Sequence, residues 1–146
     1  MLAVVRPHSW NLPLFLHILG AMVLVGAVAT AALLAFAAWR RPGVSVYGRA
    51  AFWSLVVVGV PGYVVMRIFA EVIRSDEHFD HNVPTWISVG SSIADGGLLL
   101  LLATTGFAFW WMRSGKAVAV RAVSVLASVY LVLLGVAWFA MTAKWG

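Results

Sequence analysis

A chain of 146 residues that is 63% hydrophobic and only 10% charged has too much apolar surface to hide inside a water-soluble body of its size, so it reads as a membrane protein. It has no cysteine, which excludes disulfides, thiolate metal sites, iron–sulfur clusters and thiol catalysis. The formal net charge of +5 would suit a nucleic-acid partner, but the ten Lys and Arg residues are scattered through short connections rather than gathered on one face, and their expected role is orientation in the bilayer.

In chain order, the opening "MLAVVRPHSWNLPLFLHILGAMVLVG" begins an apolar run far longer than the roughly 7 to 15 residues of a secretory h-region, and it leads into Trp39-Arg40-Arg41. It is expected to be a retained membrane helix. Four stretches reach the about 20 residues that a helix needs to cross a hydrocarbon core: 12–39, 50–73, 86–112 and 122–142. The connections "RRPGVSVYGR", "RSDEHFDHNVPT" and "RSGKAVAVR" are short, so consecutive helices should be antiparallel neighbours. The fold class expected is an all-α membrane protein, a four-transmembrane-helix antiparallel bundle.

Charge in the connections predicts sidedness. The first carries Arg40, Arg41 and Arg49 and the third Arg113, Lys116 and Arg121, whereas the second sets Arg74 against Asp76, Glu77 and Asp80. By the positive-inside rule both termini face outward, in a bacterial plasma (inner) membrane. Trp10, Trp86, Trp138 and Trp145 then fall near outer ends and Trp39, Trp53, Trp110 and Trp111 near inner ends, as interfacial belts require. "WRRPGVSVYGRA" from Trp39 and "WMRSGKAVAVRA" from Trp111 match at six positions with an offset of 72 residues. A two-helix duplication would make the halves parallel repeats with a site at their interface.

Four ionisable side chains fall inside the spans: His17, Arg67, Glu71 and Asp95. An unpaired charge at membrane depth costs at least roughly 2.5 to 3.5 kcal/mol, so each is expected to face the bundle interior or a wet cavity and find a partner. Counting from the span ends puts His17 and Arg67 roughly 7 to 9 Å, and Asp95 roughly 13 Å, below the outer surface. Tyr63, Arg67 and Glu71 recur at i, i+4 and i+8, which allows an Arg67–Glu71 pair within the helix. Ser88, Ser91, Ser92 and Asp95 recur at i, i+3, i+4 and i+7, a polar stripe on an otherwise apolar helix. The expected buried cluster is therefore His17, Tyr63, Arg67, Glu71, Ser88, Ser91, Ser92 and Asp95, with Asp95 within reach of the Arg67 guanidinium. A simpler role for the charges is an interhelical tie.

Weaker signals lie elsewhere along the chain. Pro61-Gly62 removes a backbone bond to Val57 and predicts a kink in the second span. Gly96-Gly97, and Gly26 with Thr30, predict close helix packing. In "DEHFDH", His78 and His81 lie among Asp76, Glu77 and Asp80, a weak divalent-ion site or a solvated acidic loop. His8, near Trp10, is read as interfacial.

"LHILGAMVLVGA", "VVMRIFAEVI" and "PTWISVGSSIADGG" together resemble uncharacterised four-span bacterial integral membrane proteins, broadly similar to the copper resistance protein D and b-type cytochrome-like membrane families. That resemblance implies a haem b or metal in a redox role, with a first-helix histidine as ligand, which carries over to His17. No second histidine lies within a span, so the other ligand would be Met22 or Met66, with Arg67 pairing the propionates. Two alternatives stand beside it. One is a small ion- or proton-coupled transporter or channel that loads at Asp95 and Glu71, with His17 as a relay. The other is a structural or assembly subunit whose partners are the lipid bilayer and either a second copy, as a homodimer, or a larger membrane complex.

Overall fold

Backbone amides in hydrocarbon must be satisfied within their own segment, and apolar runs of this length answer that demand as helices. The computed structural model describes residues 11–41, 45–76 and 85–143. In these, α1 covers Asn11–Arg40, α2 Ser45–Trp53, α3 Val60–Asp76, α4 Thr85–Ser114 and α5 Ala117–Ala143, and a π-helical segment, Ser54–Gly59, joins α2 to α3. Four helices, Asn11–Arg40, Val46–Ser75, Ile87–Ser114 and Ala117–Thr142, are long and apolar enough to cross a membrane. The chain is accordingly a multi-pass membrane protein.

The π segment is the form taken by the disturbance expected at Pro61. Proline has no N–H to donate to Val57, and its ring crowds the carbonyl four residues back. The preceding turn widens instead, and the Val60 N–H donates to the Leu55 carbonyl five residues earlier. Ser54 Oγ at its start donates to the Ala27 carbonyl of α1 at 3.4 Å. The rod from Ser45 to Asp76 therefore continues through the proline.

Helix also extends beyond the expected spans at the basic end. Ser45–Arg49 and Ala117–Arg121 are helical, and only Gly115 and Lys116 separate α4 from α5. Charged residues end a hydropathy window without ending a helix, because their long stems let the heads reach water while the backbone stays paired. Gly115 takes φ +64 and its N–H donates to the Trp111 carbonyl at 2.8 Å, a left-handed C-terminal cap that favours glycine. Around it, cations lie over rings: Arg40 over Phe36 at 4.7 Å, Arg113 over Phe109 at 5.3 Å, Lys116 over Trp110 at 5.7 Å and Arg121 over Trp39 at 5.8 Å.

Small side chains decide the packing. α1 buries Gly20, Leu24, Ala27, Ala31, Ala35 and Ala38, and lies against both α3 and α5, while α4 packs along α5 and against α2. A Cβ placed on Gly20 would stand 2.6 Å from the Met66 nitrogen, and one on Gly62 3.0 Å from the Leu24 nitrogen, so α1 and α3 cross in backbone contact. The packing role expected of Gly26 and Thr30 does not hold: Gly26 faces open space and exposed Thr30 donates to the Gly26 carbonyl of its own helix at 2.8 Å. Of the Gly96-Gly97 pair, only Gly97 is approached, by the Tyr130 ring, while Gly96 is open. Trp39, Trp53, Trp110 and Trp138 are exposed as belt residues should be, but Trp111 is buried against Gly48 and belongs to the core. The two tryptophans equated by the 72-residue offset thus have different surroundings.

Candidate functional site

α3 and α4 barely meet, and polar side chains bridge the gap. Tyr63, Arg67 and Glu71 stand on one stripe of α3, as their spacing predicts. Arg67 uses both terminal nitrogens: Nη1 lies 2.8 Å from Glu71 Oε1 and Nη2 2.8 Å from Asp95 Oδ1. A guanidinium fork suits this double duty, since it is planar and permanently charged. One turn away, Tyr63 donates its hydroxyl to the Ala94 carbonyl at 3.0 Å. α4 is thus held at consecutive residues, through main chain at 94 and side chain at 95.

The network is not interior, which corrects the expected burial. The Arg67, Glu71 and Asp95 side chains are 29%, 49% and 62% exposed. At 100° per residue, Asp95 stands opposite the α4 residues that pack inward, namely Gly90, Gly97, Leu101, Thr104 and Ala108, all buried. Ser88 and Ser92 are exposed with it, and Ser91, half-buried, donates to the Ser88 carbonyl at 3.1 Å. The polar stripe therefore descends the outward face of α4. The reason is steric: Met141 and Tyr130 of α5 come close to α4 at Gly90 and Gly97, and Ser88, Ser92 and Asp95 fall on the other side.

His17 does not join the network. The α1–α3 crossing at Gly20, one turn on, presses it against α3, where its Nδ1 lies 2.8 Å from the Met66 carbonyl. That carbonyl can only accept, so Nδ1 donates the proton, and any ligating lone pair would have to come from Nε2 of the neutral ring. The second ligands named with it do not oppose it. Met22 lies five residues along the same helix, about 140° around the axis, and is 67% exposed. Met66 is buried on the helix already in backbone contact with α1, so no macrocycle fits between the two elements. A haem b with His17 and either methionine as axial pair does not fit these residues. Among the described residues no three of His, Cys, Asp and Glu are grouped to hold a metal ion. His78, His81 and His8 lie outside the described residues.

In the half of the bundle nearer the α4–α5 turn, polar groups are few and mostly occupied by their own helix. Thr104 and Thr105 donate to the Leu100 and Leu101 carbonyls at 2.6 and 2.7 Å. Sequence reasoning passed over Tyr130, the largest fully buried side chain; it is 1% exposed, and its hydroxyl has no hydrogen-bond partner among the described residues. It also passed over the Gly20–Gly62 crossing. The signal for both was residue size: glycines at Gly20, Gly62 and Gly97 where a neighbour comes within contact of the backbone.

Two concavities open sideways. One, of about 360 Å³, lies between α1 and α5, lined by Ala29, Ala32, Leu33, Phe36, Ser124, Ser128 and Leu131. The other, of about 290 Å³, is a notch in α4 formed by Ala103, Gly106, Phe107 and Trp110. No protein-family model, curated protein or solved structure matches the chain.

Proposed function

We propose that the chain is an assembly subunit of a membrane complex, and that the outward face of α4, with the Glu71–Arg67–Asp95 network at its edge, docks another membrane chain. One observation carries this reading. Asp95 is 62% exposed among exposed Val64, Ile68, Leu98 and Leu99, on a surface that would otherwise meet lipid. Even paired with Arg67, a carboxylate held there is poorly solvated by hydrocarbon, and polar groups so placed face protein or water in working assemblies.

The orientation proposed has both termini outside, in a bacterial plasma membrane. It is supported by Arg40, Arg41, Arg49, Arg113, Lys116 and Arg121 in the first and third connections. Antiparallel neighbours are supported by contacts whose residue numbers run in opposite senses: Gly62 with Leu24 and Gly59 with Ala27, or Gly97 with Tyr130 and Gly90 with Met141. The resemblance to the copper resistance protein D and b-type cytochrome-like families is proposed at the level of a four-span scaffold, without the haem. A transporter reading is less well supported, because the Thr104 and Thr105 hydroxyls turn back on their own helix and nothing described continues a polar path from Asp95 to the other side.

Photo-crosslinking in native membranes tests the proposal. A benzophenone side chain at position 99 or 106 should yield protein adducts, while one at position 57 or 132, on other exposed faces, should not. Lipid adducts alone from all four positions would remove the docking role.

A further inference from the structure

The docking face has a sign and a shape, and together they describe what covers it; the inference rests on the docking role just proposed. Arg67 contributes one positive charge and Glu71 and Asp95 two negative charges, joined at 2.8 Å, so the network carries one net negative charge. Among the described residues no other charge is seen to cancel it. Arg74 stands seven residues, about 10 Å, further along α3, and no ion pair among the described residues joins it to Glu71 or Asp95. His17 is tied to the Met66 carbonyl on the α1 side. A second copy of the chain is the wrong occupant, because a symmetric pair would bring two net negative charges together in a poorly screened medium.

The shape is that of a track for a helix. Ser92, Gly96, Leu99, Ala103 and Gly106 are exposed at steps of four, three, four and three residues, and they run about 21 Å along α4. A Cβ on Gly96 or Gly106 would meet nothing within 4 Å, and the notch of about 290 Å³ at Ala103, Gly106, Phe107 and Trp110 leaves room for a large apolar side chain. Small residues at such spacing let a second helix approach closely. A small cation would need the carboxylates and not the track; a helix uses both.

We propose that α4 docks a transmembrane helix of another chain carrying one Lys or Arg at the depth of Asp95, roughly 13 Å below the outer surface. That cation sits against Asp95 and Glu71 and brings the network to neutrality. The apolar side chains of the same helix fill the track down to the notch. The charge fixes depth and register, and the small residues supply the contact area.

The test uses the full-length protein bearing a donor fluorophore in phosphatidylcholine vesicles, with acceptor-labelled Leu/Ala transmembrane peptides that differ at one position about nine residues from the outer end. The Lys peptide should associate about tenfold more tightly than the Gln peptide, with the Glu peptide weakest. Asp95→Asn should erase the preference, and Gly106→Leu should weaken all three peptides. Equal association of the three, still sensitive to Gly106→Leu, overturns the charge assignment and leaves the docking role standing. Energy transfer between two copies of the chain, abolished by Gly106→Leu, places a second copy on the face and also overturns the inference. If no peptide associates the inference falls, and the protein adducts at positions 99 and 106 decide independently whether the docking role survives.

Discussion

Replacing Gly20 with alanine probes the contact on which the α1–α3 arrangement depends. The added Cβ would lie 2.6 Å from the Met66 nitrogen and 2.8 Å from the Gly62 oxygen, both backbone atoms that no rotamer change can move aside. Ordinary contact begins at 3.4 Å, so the helices must part by about 0.8 Å at the crossing. A radial gap of that size forfeits roughly a quarter to a half of the dispersion well for each atom pair it opens, and overpacking of a filled core costs about 1 to 3 kcal/mol. Alanine recovers about 1 kcal/mol through helix propensity in soluble hosts. The expected net loss for Gly20→Ala is roughly 0 to 2 kcal/mol, about 1 to 3 kcal/mol worse than the same replacement of a glycine that faces open space. Gly26→Ala on the same helix is the matched control: it meets open space and should leave stability unchanged within about 0.5 kcal/mol or raise it. Reversible unfolding in mixed detergent micelles, followed by helical circular dichroism, measures both. Equal stability of the two variants would refute the backbone crossing and, with it, the seating of His17 on the Met66 carbonyl.

Tyr130→Phe removes a buried hydroxyl that has no partner among the described residues and should be neutral or stabilise by up to about 1 to 3 kcal/mol in the same unfolding assay; a clear loss would mean that the hydroxyl is bonded. Asp95→Asn should shift the detergent stability of the isolated chain by no more than about 1 kcal/mol, because Arg67 keeps its pair with Glu71 at 2.8 Å and no charge is left unpaired, yet it should abolish the Lys-peptide preference; a large destabilisation would make the pair a structural tie. Purified protein mixed with haem should show no Soret band that depends on His17, and a band lost in His17→Ala would overturn the argument that the crossing leaves no room for the macrocycle.

Hydropathy alone was enough to locate four membrane helices, because apolar length is a local property and a bilayer sets the required length. Local spacing was also enough for Arg67 to be paired with Glu71, and the reach of its side chain for Asp95. What a linear reading could not settle was which way each helix turns. In water the buried face is the apolar one, so periodicity marks the inside; in lipid the surroundings are as apolar as the core, and that contrast vanishes. The stripe Ser88, Ser91, Ser92 and Asp95 was therefore expected to look inward, whereas Gly90, Gly97, Leu101, Thr104 and Ala108 form the packed side of α4. His17 was likewise expected beside Arg67, and the backbone crossing at Gly20 and Gly62 tied it to Met66 instead.

The amino-acid order by itself determined that the chain is a membrane protein, how many of its helices are long and apolar enough to cross, and which residues within them are charged, since each follows from composition and neighbours along the chain. Only the tertiary arrangement decided that the carboxylate of Asp95 looks away from the bundle, because helix rotation is set by where two backbones can come closest, and that depends on glycines and alanines meeting across space.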